Sequence, residues 1–213
     1  MWVGDSAEEN GSETGGAEPW AAAEGRALRF ILPGMVRVGE RLRVRCFGLK
    51  QARSLAEEIA DREAAVRALV WELFGDEVEV RKRAADVARR ITERDAGPLE
   101  RYADELAGLL ESLPVEESRT RWHLGLVVAR VANTRERRLR AARAMSLLAE
   151  DESNAVRCSA VEGLGTLALE EPSLRDEAAA MVERYLWDGT KAMKSRARAV
   201  RRMLGKKYGE PHP

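Results

Sequence analysis

Asp151–Glu170 reads DESNAVRCSAVEGLGTLALE, and within it Gly163-Leu164-Gly165-Thr166-Leu167-Ala168 matches the G-x-G-x-x-A dinucleotide fingerprint letter for letter. The fingerprint has physical meaning only where a strand delivers the chain into a tight glycine turn that opens a helix, so that backbone amides at the helix start face a pyrophosphate. Here Val156, Ala160, Val161, Leu164 and Leu167 recur at helical spacing before and through the glycines. That period belongs to a helix already running when the glycines arrive. No strand signal precedes them, so the stretch is expected to pack closely on other helices, at some cost in helix propensity, and not to hold a nucleotide.

The same helix recurs along the chain. VEVRKRAADVA, SRTRWHLGLVV, NAVRCSAVEGL and KAMKSRARAVR align on a basic residue at Arg81, Arg121, Arg157 and Lys194, at intervals of 40, 36 and 37 residues. Val80, Thr120, Val156 or Met193 stands before that base, and Ala84, Leu124, Ala160 or Ala197 three after it. Five or six residues ahead of it lies an acid, Asp76, Glu116, Asp151 or Asp188. Breaks at Gly75-Asp76, Gly97-Pro98, Leu113-Pro114, Asn133-Thr134, Glu150-Asp151, Glu171-Pro172 and Asp188-Gly189 separate each copy from an upstream apolar-periodic segment. The first of these upstream helices is read as continuous from 52 to 74. Pro98 and Pro172 suit a first helical turn, and Ser173 to Asp176 can form a capping box. The expectation is an all-α chain of eight helices in four pairs, each unit covering its apolar face only by stacking on its neighbours, which is an α-solenoid.

Over roughly residues 50 to 207 the pattern D-x-x-x-x-V-R-x-x-A resembles HEAT repeats of the HEAT/armadillo class, most closely at Asp151 to Gly165. The second copy departs most, with Thr120 and Trp122-His123, and the fourth has Lys194 in place of arginine. The last stretch, DGTKAMKSRARAVRRMLGKK, looks like the end of small bacterial HEAT-like proteins of unassigned role. The resemblance implies a right-handed α–α superhelix with first helices convex and second helices concave, and a repeated acid and base bonding within or between units.

Composition bounds what such a chain can do. Its 213 residues, 45% apolar and 34% charged, suffice for one good core. No apolar run reaches the roughly 18 residues a membrane span needs, and the first residues lack the basic start and apolar stretch of a signal peptide, so a cytoplasmic location is expected. Two cysteines, Cys46 and Cys158, lie far apart and form neither a disulfide framework nor a C-x-x-C unit. With His123 and His212 the only histidines, neither a zinc site nor a Ser-His-acid triad is supported. No cofactor is expected.

Residues 1–25 hold six acids and no Lys or Arg, with many Gly, Ser and Ala, and read as a disordered acidic tail. Residues 26–50 invert the charge, with seven bases against Glu40 alone. Leu42-Arg43-Val44-Arg45-Cys46 alternates like a strand and Pro33-Gly34 reads as a turn, so this basic extension is expected to form a small hairpin or to be disordered. The repeat domain spans 51–207, and 208–213 form a C-terminal tail.

Helix assignment also separates the charges. The four second helices carry 18 bases and four acids, and the four first helices 11 and 15, so a chain of zero net charge presents one basic side. Candidate contacts for an anionic partner are Lys82, Arg83, Arg90, Arg119, Arg130, Lys191, Lys194, Arg198, Arg201 and Arg202, with Trp122 and His123 as aromatic contacts on the same side. Against this, one base per unit belongs to the repeat, and a charged run is usually a solvated face. The function expected first is a non-catalytic scaffold that binds a protein or peptide partner through its concave side; nucleic-acid binding along the basic groove is the alternative. HEAT-like alkylpurine DNA glycosylases share the fold. Only Trp122, Trp187 and Asp188 match the acid and aromatics they use, and Trp187 and Asp188 are more simply a packing residue and an N-cap.

Overall fold

The computed structural model describes residues 38–209. Among these there is no strand, and eleven α-helices follow one another. The second helices of the repeats are α4 (Val78–Arg94), α7 (Ser118–Val131), α9 (Asn154–Glu170) and α11 (Lys191–Tyr208). Before them come α3 (Glu63–Leu73), the short α5 (Gly97–Glu100) with α6 (Ala103–Ser112), α8 (Arg135–Leu148), and α10 (Arg175–Asp188) led by a 3₁₀ turn at Pro172–Leu174. Two further helices stand upstream, α1 (Val38–Leu42) and α2 (Leu49–Ile59).

The expected continuous helix over 52–74 is two helices. Arg62 adopts extended angles (φ −114°, ψ 94°) and the chain turns through Ala60–Arg62. The break lets each half bury its own stripe. α2 buries Ala52, Leu55, Ala56 and Ile59, and α3 buries Ala65, Val66, Leu69, Val70 and Leu73. The consequence is a change of partner: α2 packs chiefly on α4, as α4 packs on α7, α7 on α9 and α9 on α11. Likewise α1 lies on α3, and α6 on α8. The packing pattern therefore begins one pair earlier than the repeat alignment indicates.

The expected strand at Leu42–Cys46 is likewise overturned. Leu42 ends α1 fully buried, Arg43–Cys46 form a turn, and Val44 and Cys46 are exposed, so the alternation has no buried face to specify a strand. Arg43 instead reaches α3 and the start of α4, bonding Glu72 at 2.9 Å and Glu77 at 2.8 Å, which raises its pKa further. The acidic tail and the Pro33-Gly34 turn lie outside the described residues.

At the other end the body runs one residue past the expected 207. Tyr208 is helical, its hydroxyl donates to the Ala168 carbonyl, and Gly209 closes α11 with a left-handed φ of 73°, the conformation glycine adopts without penalty. Thr190 caps α11 and Thr134 caps α8, each accepting from the amide three residues on. The expected capping box at Ser173 does not form. Its hydroxyl donates to Glu171 at 2.6 Å inside the 3₁₀ turn.

The fingerprint glycines sit inside α9, which is continuous from Asn154 to Glu170. A Cβ on Gly163 would stand 2.5 Å from Met145 Sδ and 3.2 Å from Ala129 Cβ; one on Gly165 would stand 2.4 Å from Val200 Cγ1. Glycine is there because α7, α8 and α11 come that close. With α7 and α9 in the middle of the packing, most of their residues are buried, including Leu124, Val127, Ala160, Leu164 and Leu167.

Candidate interaction surface

The repeat base joins units, and it does so in one direction. Arg81 of α4 binds Glu117 with two bonds, Nε–Oε2 at 2.9 Å and Nη2–Oε1 at 2.7 Å, and donates a third from Nη1 to the Gly75 carbonyl at 2.6 Å. Arg121 of α7 pairs with Asp151, whose side chain is 3% exposed. In both cases the acid belongs to the next unit and stands just ahead of its second helix. The acid in the second unit is Glu117, not the expected Glu116, which is exposed, as is Asp76. The register slips by one because the helix start, and not the count from the base, decides which carboxylate turns inward. Arg157 does not continue the series. Its guanidinium lies over the Tyr185 ring at 5.7 Å, and Asp188 is exposed. Lys194 donates from Nζ to the Trp187 carbonyl at 3.1 Å.

The first helices are tied in the opposite sense, an arginine of the later helix reaching an acid on or just after the earlier one. Arg137 meets Asp104 at 2.7 Å, Arg140 meets Glu111 at 2.8 Å, and Arg184 meets Glu150 at 2.6 Å. Each carboxylate is held below its ordinary range by the bond to its arginine.

On the second-helix side the expected basic groove is largely neutralised from within. Lys82 and Arg83 pair with Glu79, and Arg83 also donates to the Leu42 carbonyl at 2.7 Å and the Val44 carbonyl at 2.9 Å. Arg90 and Arg89 both hold Asp86, at 3.2 and 3.1 Å. Arg130 crosses from α7 to the Arg89 carbonyl of α4 and to Glu162 of α9, and Arg196 of α11 meets the other oxygen of Glu162 at 2.8 Å. One carboxylate thus bridges three helices. Desolvation lowers the Arg130 pKa against the pull of Glu162. Asp86, Arg89, Glu162 and Arg196 were not singled out by the repeat pattern; the available signal is that Asp86 and Glu162 each stand five residues after a repeat base, Arg81 and Arg157.

Trp122 and His123 sit in the middle of this charged chain. Their rings stack at 4.3 Å between centroids. Trp122 is half-buried, whereas His123 is buried, with Nδ1 4.0 Å from Asp86 Oδ1 and no hydrogen-bond partner. Burial first, then the Arg89, Arg90 and Arg119 charges, push its pKa down to about 4 against the opposing pull of Asp86. His123 is therefore neutral near pH 7 and offers a partner no charge.

The remaining candidates concentrate on α11. Lys191, Arg198 and Arg202 are exposed and form no ion pair with a described residue, as is true of Arg119 on α7. Arg201 meets Glu183 of α10 at 3.4 Å across an exposed edge. Trp187, expected to pack, is 87% exposed, and Thr190, not Asp188, caps the helix that follows it. Trp122 lies half-buried on α7, and Trp187 stands in solvent at the end of α10.

No group of three or more His, Cys, Asp or Glu that could hold a metal is found among the described residues, and no described helix is long and apolar enough to cross a membrane. No family model matches the chain, and no curated protein matches it. Among solved structures it is similar to the crystal structure of an engineered protein from a structural genomics consortium. That likeness has 16% identity and a TM-score of 0.38, over 81% of this chain and 98% of the other.

Proposed function

We propose that this chain is a non-catalytic scaffold, a right-handed superhelix of HEAT-like helix pairs that binds a protein partner on the face built by α4, α7, α9 and α11. Two features support the superhelix: each second helix packs on the next in the row, and the Arg81–Glu117 and Arg121–Asp151 pairs repeat the same inter-unit step. The observation that carries the partner class is Glu162 bridging Arg130 and Arg196, with Asp86 holding Arg89 and Arg90. These half-buried, mutually paired charges give a rigid face of mixed sign around Trp122. A mixed, pre-ordered surface with an aromatic anchor suits a protein, whose own surface is of mixed sign, better than a polyanion. Nucleic-acid binding along this groove has little free charge to draw on, because Arg83, Arg90 and Arg130 are already engaged.

A photo-crosslinking residue in place of Arg119, at the rim of this face, tests the proposal in the native cell against one in place of Leu147, exposed on α8. A protein captured from position 119 and not from 147, surviving nuclease treatment and lost with Trp122→Ala, is expected. Capture from 147 alone, or capture abolished by nuclease, overturns the reading.

A further inference from the structure

The outer flank of α11 is charged in a way that nothing else in the described chain is. Successive residues of an α-helix are about 100° apart, so Lys191, Ser195, Arg198, Arg202 and Lys206 fall within a strip about 80° wide. That strip is opposite the buried residues Met193, Ala197, Val200 and Leu204, by which α11 packs on α9 and α10. All five strip residues are exposed, and Lys191, Arg198, Arg202 and Lys206 form no ion pair with a described residue. Between Asp188 and Glu210 there is no acid at all. From Lys191 to Lys206 the row is about 22 Å long. Trp187, four residues before the row begins, stands 87% exposed, and Lys194 ties its carbonyl to the first turn of α11.

A flank that served only to keep the last helix soluble would need charge of either sign, and this chain has equal numbers of acids and bases to supply it. Many arginines elsewhere are met by carboxylates, as at Arg81, Arg89, Arg130, Arg137 and Arg140. Here four cations stand in line, none ion-paired to a described residue. Such a row complements a linear polyanion, and two of its members are guanidiniums, whose fork matches phosphate oxygens. An anionic bilayer would draw on apolar side chains along the row, and there are none at 191, 195, 198, 202 or 206. One exposed indole at the head of a phosphate-binding row is instead what a single-stranded nucleic acid uses, a base stacking on the ring while the backbone follows the cations.

We infer that the outer flank of α11 binds the phosphate backbone of single-stranded nucleic acid, through Lys191, Arg198, Arg202 and Lys206, with Trp187 as the stacking platform. This surface is separate from the Trp122 face, so its failure leaves the scaffold reading intact and the reverse also holds.

The test is fluorescence anisotropy of the full-length protein with labelled single-stranded oligonucleotides, a duplex of the same sequence, and vesicles containing phosphatidylserine. Single-stranded binding is expected, with log K falling against log salt at a slope of about −2.8, since each of four single-strand phosphate contacts contributes about −0.7. Lys191→Gln, Arg198→Gln and Arg202→Gln together should bring the slope to about −0.7 and weaken binding at least tenfold, with an unchanged circular dichroism melt. Trp187→Ala should weaken single-strand binding about tenfold without altering the slope. Absence of oligonucleotide binding at low salt, equal affinity of the triple variant, or preference for vesicles overturns the inference. Duplex binding as tight as single-strand binding and insensitive to Trp187→Ala overturns it as well.

Discussion

Arg81 on α4 and Glu117 at the head of α7 are joined by two parallel bonds across the boundary between two units, with side chains 15% and 6% exposed. A guanidinium and a carboxylate in that planar fork form the strong, geometrically specific kind of ion pair, and the third bond to the Gly75 carbonyl occupies a further donor of Arg81. Removing one member leaves a half-buried charge without its partner. Glu117→Ala is therefore expected to lower the stability measured by urea unfolding by about 3 kcal/mol. Glu116→Ala, one residue away and exposed, should change it by less than about 0.5 kcal/mol. Equal effects at the two positions would show that the pair contributes little.

Gly165→Ala adds a methyl group that every helix propensity scale favours, by about 1 kcal/mol. It is nevertheless expected to destabilise by about 2 kcal/mol, because the new Cβ lies 2.4 Å from Cγ1 of Val200, a β-branched side chain with little freedom to move aside. Gly163→Ala should be milder, since the nearest atom in its way is the sulfur of the flexible Met145. Thermal melts of the two variants give the order directly, and a stabilised Gly165→Ala would contradict the close contact between α9 and α11.

His123 is buried and neutral, its folded pKa depressed to about 4 from 6.5. Below 6.5 the unfolded chain takes up a proton that the folded chain refuses, so stability falls as pH drops from about 6.5 to about 4 and this contribution then levels off. His123→Phe, which keeps a ring against Trp122 and cannot be protonated, should flatten the urea midpoint over that window by up to a few kcal/mol equivalent. The carboxylates Asp104, Glu111 and Glu150, with their lowered pKa values, act mainly below it. A variant with the wild-type slope between pH 6.5 and 4 would show that the imidazole is protonated in the folded state.

Deleting everything before Leu49 removes Val38 and Leu42, which are 1% and 0% exposed, and the Arg43 bonds to Glu72 and Glu77. A chain starting at residue 49 is expected to melt well below one starting at residue 36, by 5 °C or more for the few kcal/mol that two buried aliphatic side chains contribute. Coincident melts would place the start of the folded body at α2.

The helical nature of the body was legible in the sequence because apolar spacing is a local property. Val156, Ala160, Leu164 and Leu167 recur at the period of a helix whatever lies against them, and that spacing alone removes the nucleotide reading of Gly163 and Gly165. The repeated base was legible for the same reason. What the sequence could not specify is which residues meet across space. The turn at Ala60–Arg62 splits an apparently continuous helix because α2 has α4 to pack on, a neighbour invisible to a window of local periodicity. Glu117, not Glu116, receives Arg81 because the position where α7 begins decides which carboxylate turns inward. Charge was the most context-dependent property of all. The basic residues counted on the second helices looked like one groove. Asp86 lies four residues before Arg90 on the same helix, a spacing the sequence displays, but only the tertiary partners, Glu162 for Arg130 and Arg196, and none described for Lys191, Arg198 and Arg202, separated a self-neutralised face from a cationic flank, because a charge acts on a partner only when no opposite charge already lies within bonding distance.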